Sequence, residues 1–163
     1  MREPELSCPP AGIDLAVVGA HLSGQPLNHQ LTSRGAHLVS TQRSAAPYRL
    51  YALANTSPPK PGIVRAPGFA GPGIELEIWR LSAAAFGSFV AEVPAPMGIG
   101  TVELGDGRSV KGFICETAAL EGATEITQYG SWRNFLASLR RASSDARPAE
   151  PKAKGNKKRS SKL

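Results

Sequence analysis

The chain has 163 residues, of which 41% are hydrophobic and 6% aromatic, enough for one domain with a largely aliphatic core. Its net charge of +6 suggests nucleic acid only until it is divided along the chain: residues 140–163 hold nine Lys/Arg against two acids, a net of +7, and the remainder holds ten against eleven, a net of −1. Two cysteines, Cys8 and Cys115, make no disulfide framework, and the chain has neither an 18-residue apolar run nor a secretory leader. A cytoplasmic location with no membrane contact is therefore expected.

Residues 1–12, with three prolines, predict a flexible leader. Ile13 to Val18 is an apolar run interrupted only by Asp14 and ending at Gly19, as a buried strand entering a turn would read. Leu27 and Leu31, four apart in a polar stretch, predict a short helix over 25–35 stopped by Gly35. Strands are expected at 36–43, 48–53 and 63–65, the last two separated by a loop containing Pro58, Pro59, Pro61 and Gly62. After the glycine-rich turn 68–73, the segment 74–81 alternates, with Ile74, Leu76, Ile78 and Arg80 on one face and Glu75, Glu77 and Trp79 on the other.

Ser82 is placed to cap a helix over 83–92, which Pro94 and Pro96 end. Thr101–Leu104 and Ser109–Glu116 flank Gly105-Asp106-Gly107 as a hairpin. Residues 118–122 read as a helical turn. Ser131–Leu139 reads as a terminal helix, with Trp132, Phe135, Leu136 and Leu139 at helical spacing. The sum is an α+β domain with a mixed, barrel-like and mostly antiparallel sheet and a few short helices. Residues 140–163 have almost no apolar side chain to offset the entropy of ordering and predict a disordered basic tail.

Candidate chemistry is thinly spread. The loop Gly19-Ala20-His21-Leu22-Ser23-Gly24 follows a strand and exposes consecutive N–H groups, which suits either a carboxylate nest or a tight turn. His21 would add a tunable donor or acid there. Asn28 can present an amide or cap a turn. In Tyr48-Arg49-Leu50-Tyr51, alternation sets Arg49 and Tyr51 together, either as a carboxylate fork or as a solvated strand face. Two prolines and two glycines between Val93 and Thr101 fit a shaped pocket wall or a plain connector. Lys111 and Glu116, five apart, need not be partners, and Cys115 sits among core-like neighbours. There is no metal-ligand spacing, phosphate loop or serine elbow.

Taken in order, these motifs resemble the γ-glutamyl cyclotransferase-like fold and, more closely, the C-terminal domain of allophanate hydrolases. The resemblance runs over residues 13–139 and rests on segments 17–24, 26–31, 48–51, 58–62, 94–101 and 106–113, with Met97 where that family has Leu. It implies a cofactor-free, metal-free domain that decarboxylates N-carboxycarbamate to carbamate and carbon dioxide in urea breakdown, after a separate amidase has hydrolysed allophanate. It implies His21 as the catalytic residue. Substrate contacts would come from Gly19, Ala20, Leu22, Ser23 and Gly24 in the loop and from Asn28. Arg49, Tyr51, Gly98, Ile99 and Lys111 would complete them. The cyclotransferase glutamate has its nearest counterpart in Glu92, which falls one place early, and this argues against cyclotransferase activity. Expected partners are a small carboxylate and an amidase, with nucleic acid reachable only through the basic tail. The alternative is a non-catalytic module that binds a small dicarboxylate or docks onto an amidase.

Overall fold

The computed structural model describes residues 11–145. In chain order it has β1 (Gly12–Val17), α1 (His29–Thr32), β2 (His37–Arg43), β3 (Tyr48–Ala52), β4 (Pro61–Arg65), β5 (Glu75–Ser82), α2 (Ala83–Ala91), β6 (Met97–Glu103), β7 (Ser109–Cys115), β8 (Thr124–Glu125) and α3 (Trp132–Asp145), with 3-10 turns at Thr117–Leu120 and Thr127–Tyr129. A five-stranded sheet runs β2-β5-β1-β7-β6 and a three-stranded sheet runs β4-β3-β8. Among the described strands only β1 and β7 pair in parallel, Leu15 opposite Lys111.

The apolar run that predicts β1 explains its place. Leu15, Ala16 and Val17 are all buried, so this strand takes the centre of the larger sheet, with β5 on one side and β7 on the other. On β3, Tyr48 and Leu50 enter the core while Arg49 and Tyr51 stay half-exposed, as alternation requires. The Ser82 hydroxyl accepts the Ala85 N–H at 3.1 Å and starts α2. The two sheets close on each other where β4 meets β7. A Cβ on Gly62 would lie 2.7 Å from Cys115 Sγ, so only glycine allows that approach.

The structure departs from the sequence expectation in several places. Strand β6 begins at Met97, paired with Cys115, because the side chain of Ile114 lies over Gly100 and the glycines continue the ladder. Gly98 and Ile99 are therefore strand residues, not loop residues. Helix α3 continues to Asp145, six residues beyond the expected end, and Gly12 already belongs to β1. Both faces of β5 are covered, so Glu77 and Trp79 are buried along with Leu76 and Ile78. The sheets form no closed barrel among the described residues. The leader residues 1–10 and tail residues 146–163 lie outside the described residues. Among those described, no helix is long and apolar enough to cross a membrane.

Candidate functional site

The chain leaves β1 through Val18 and turns at once. Gly19 sits so close to β4 that a Cβ there would lie 2.2 Å from Pro61 Cδ, which pins the turn against the start of that strand. The Leu22 N–H donates to the Gly19 carbonyl at 2.9 Å, the Leu27 N–H to Ala20 O at 2.8 Å, and Asn28 Nδ2 to His21 O at 2.8 Å. Asn28 thus braces the loop from behind.

The turn does hold a carboxylate, and it is the protein's own. Glu77 Oε2 accepts the Ser23 N–H at 2.8 Å, the Ser23 hydroxyl at 3.0 Å and Trp79 Nε1 at 3.0 Å. Its Oε1 accepts Arg133 Nη2 at 2.8 Å, and the same nitrogen donates to Ser23 O at 2.9 Å. Burial by itself would raise the Glu77 pKa; the hydrogen bonds from Arg133, Ser23 and Trp79 outweigh it and hold the group ionised below the ordinary carboxylate value. Strand β5 and helix α3 are tied through this one side chain to the loop that ends β1.

With Leu22 and Ser23 engaged, the N–H groups of Gly19, Ala20 and His21 have no protein acceptor among the described residues. All three residues line a cavity of about 290 Å³. Its other walls are Leu27 and Gln30, the Ser57–Pro61 loop, and a side built from Phe89, Glu92, Val93, Pro94, Met97 and Phe113. Among the described residues, Lys60 is the one lysine or arginine in the lining. Glu92 pairs with Arg34 at 2.7 Å on the rim.

The His21 ring stacks on Phe113, with centroids 5.0 Å apart and planes 16° from parallel, and meets Phe89 edge-on at 5.2 Å. Its Nε2 is hydrogen-bonded to Gln30 Oε1 at 2.8 Å. Burial among these rings lowers its pKa; the Gln30 bond acts in the opposite direction, and the charges of Lys60 and His29 add to the lowering. The imidazole is neutral at pH 7. No buried side-chain nitrogen or oxygen among the described residues lacks a partner, so the unbonded His21 Nδ1 reaches solvent. A neutral ring with its hydrogen on Nε2 offers a hydrogen-bond acceptor at Nδ1.

The expected site is therefore only partly assembled. Gly19, Ala20 and His21 meet at the cavity. Leu22 points into the core, Ser23 is taken by Glu77, and Gly24 occupies an exposed turn at φ 77°. Arg49 pairs with Glu125 at 2.7 Å and lies 4.0 Å from the Phe69 ring centroid, so its charge is spent on the outer face of the smaller sheet. Tyr51 sits beside it between Gly62 and Glu125. Gly98 and Ile99 face Ile114 and Phe113 in the ladder instead of lining the cavity. Lys111 lies on an exposed part of β7, its Nζ 3.5 Å from Thr101 Oγ1.

Sequence reasoning missed Gln30, Lys60, Phe89 and Phe113 as site residues. Gln30 and Lys60 lie within segments 26–31 and 58–62, where motif order was informative but individual roles were not. No group of three His, Cys, Asp or Glu among the described residues is arranged to hold a metal.

A family model, the allophanate hydrolase C-terminal domain, matches residues 13–137. The urea amidolyases of Saccharomyces cerevisiae and Lachancea kluyveri are each 41% identical over 139 residues, which is 83% of this chain and 8% of theirs. The chain thus spans a small part of those relatives. Among solved structures, Kluyveromyces lactis allophanate hydrolase aligns with a TM-score of 0.76 at 41% identity, covering 79% of this chain and 22% of its own. A uropathogenic E. coli-specific protein aligns with a TM-score of 0.71 at 33% identity, covering 78% and 97%. A γ-glutamyl cyclotransferase shares the fold, with a TM-score of 0.50 at 15% identity over 90% and 94%.

Proposed function

The chain belongs to the allophanate hydrolase C-terminal domain family, and from that premise we propose that its cavity binds N-carboxycarbamate and promotes its decarboxylation within urea breakdown. The observation that carries this reading is the meeting in one cavity, among the described residues, of three unengaged N–H groups, His21 with a lowered pKa, and Lys60. The substrate is an N–H flanked by two carboxylates. The Gly19, Ala20 and His21 N–H groups suit one carboxylate, and the Lys60 ammonium balances the other. His21 Nδ1 accepts the hydrogen of the central nitrogen and sets its orientation.

The C–N bond to one carboxylate then breaks. Its electron pair stays on nitrogen, carbon dioxide leaves, and nitrogen takes one proton from water, giving carbamate. One proton and a dianion become carbon dioxide and a monoanion. In this reading His21 is a clamp on the substrate and water is the acid. The substrate comes from an amidase, as a fused domain or a separate protein.

The test mixes purified protein with an amidase that releases N-carboxycarbamate and follows carbon dioxide. The expected result is faster release than with the amidase alone, lost in His21→Ala. No gain over the amidase, or an unchanged gain in His21→Ala, overturns the catalytic reading. Malonate binding without turnover would establish a binding module in its place.

A further inference from the structure

Gln30 is anchored before its side chain does anything. Its N–H donates to Leu27 O at 3.0 Å, and its carbonyl accepts Arg34 Nη1 at 2.9 Å. Arg34 is fixed in turn by Glu92 at 2.7 Å and Ser88 Oγ at 3.1 Å. From this position Gln30 Oε1 meets His21 Nε2, while Phe113 and Phe89 hold the ring plane. An amide oxygen can only accept, so the Nε2 position must carry the hydrogen. In a neutral ring the other nitrogen is then bare.

We propose that Gln30 is a positioning residue: it fixes the His21 hydrogen on Nε2, presents a bare Nδ1 to the cavity, and so makes the site select an anion with an imide-type N–H beside its acid group over the same anion with a methylene there. The charged and titratable groups around His21 agree with a neutral ring. Lys60 from the β3–β4 loop and His29 from α1 disfavour a second positive charge, and the Glu92 carboxylate on the rim is occupied by Arg34. A methylene gives Nδ1 no hydrogen to accept and leaves that nitrogen desolvated without a partner. The selectivity rests on the cavity being the site proposed above; the position of the hydrogen on His21 does not.

Two measurements on the whole chain test this without turnover. Nitrogen-15 NMR of the His21 ring should show a protonated Nε2 and an unprotonated Nδ1 at pH 7.5. Gln30→Leu should mix the two tautomers, whereas Gln30→Glu should keep the hydrogen on Nε2 and move the Nδ1 titration to higher pH. Calorimetry should show allophanate binding about tenfold more tightly than malonamate, its methylene counterpart, with the preference lost in Gln30→Leu. A protonated Nδ1 in the native neutral ring, or the same tautomer in Gln30→Leu, overturns the positioning role. Equal binding of the two probes, or binding of neither, overturns the selectivity. Carbon dioxide release is read separately, so failure of the decarboxylase reading is distinguishable from failure of this one.

Discussion

Replacing Glu77 with alanine removes the acceptor of four hydrogen bonds at once, from the Ser23 N–H, the Ser23 hydroxyl, Trp79 Nε1 and Arg133. Deleting one member of a buried ion pair costs about 3–5 kcal/mol, because the remaining partner keeps its desolvation penalty. The Arg133 side chain is 34% exposed and can rehydrate, which places Glu77→Ala at the low end, about 3 kcal/mol. Glu77→Gln keeps the shape and one acceptor, so about half that loss is expected.

The pH dependence follows from the direction of the shift. The folded pKa of Glu77 lies below the ordinary 4.5, so its contribution is complete above about pH 4.5 and disappears as pH falls through the folded value. His21 acts in a different window. Its folded pKa lies below 6.5, so the stability tied to its neutral form is complete above that pH and declines as pH drops below it. Urea unfolding followed by circular dichroism from pH 3 to 8 separates the two: Glu77→Gln should flatten only the more acidic limb, and His21→Phe only the one beginning near 6.5. A Glu77→Ala variant within about 1 kcal/mol of the parent at pH 7, or an unchanged acidic limb in Glu77→Gln, would refute the buried anchor.

Other expectations are open to direct measurement. Gly19→Ala drives a Cβ into the Pro61 ring; unfolding should show a loss of about 1–3 kcal/mol, and calorimetry should show loss of malonate binding as the turn shifts. Phe113→Ala removes the ring beneath His21 and should cost about 3 kcal/mol in the same unfolding assay, together with the upfield ring-current shift of the His21 protons. Lys60→Met should leave the melting temperature nearly unchanged while weakening malonate binding at least tenfold, with less dependence on salt than in the parent. Ser82→Ala should lower stability by about 1 kcal/mol through loss of the α2 cap without changing ligand affinity.

Local pattern made most elements legible. Apolar runs and alternation located β1, β3 and β5, and Ser82 with the two following prolines bracketed α2. Pattern failed where a distant segment decides the outcome. Nothing near Gly98 or Gly100 says that Ile114 will cover them and continue β6, and the alternation of β5 cannot show that both of its faces are covered. The same limit applies to the site. Consecutive N–H groups after β1 predicted an anion at the loop, but the anion at Ser23 is Glu77, a partner 54 residues away. Arg49 looked free because its partner, Glu125, lies 76 residues on. Lys60 and Gln30 sat in plain view within motifs, yet only the folded chain puts them around one ring.

The placement of β1 also bears on how the domain is made. Its neighbours β5 and β7 both come much later in the chain, and Leu15 waits for Lys111 before its parallel pairing exists. Hairpins β3–β4 and β6–β7 can close locally, but the central strand cannot, and such long-range pairing slows folding. During synthesis the loop after β1 therefore precedes its Glu77 anchor by 54 residues and its Arg133 clasp by 110. Within this domain, the turn that lines the cavity precedes in the chain both of the side chains that fix its far end.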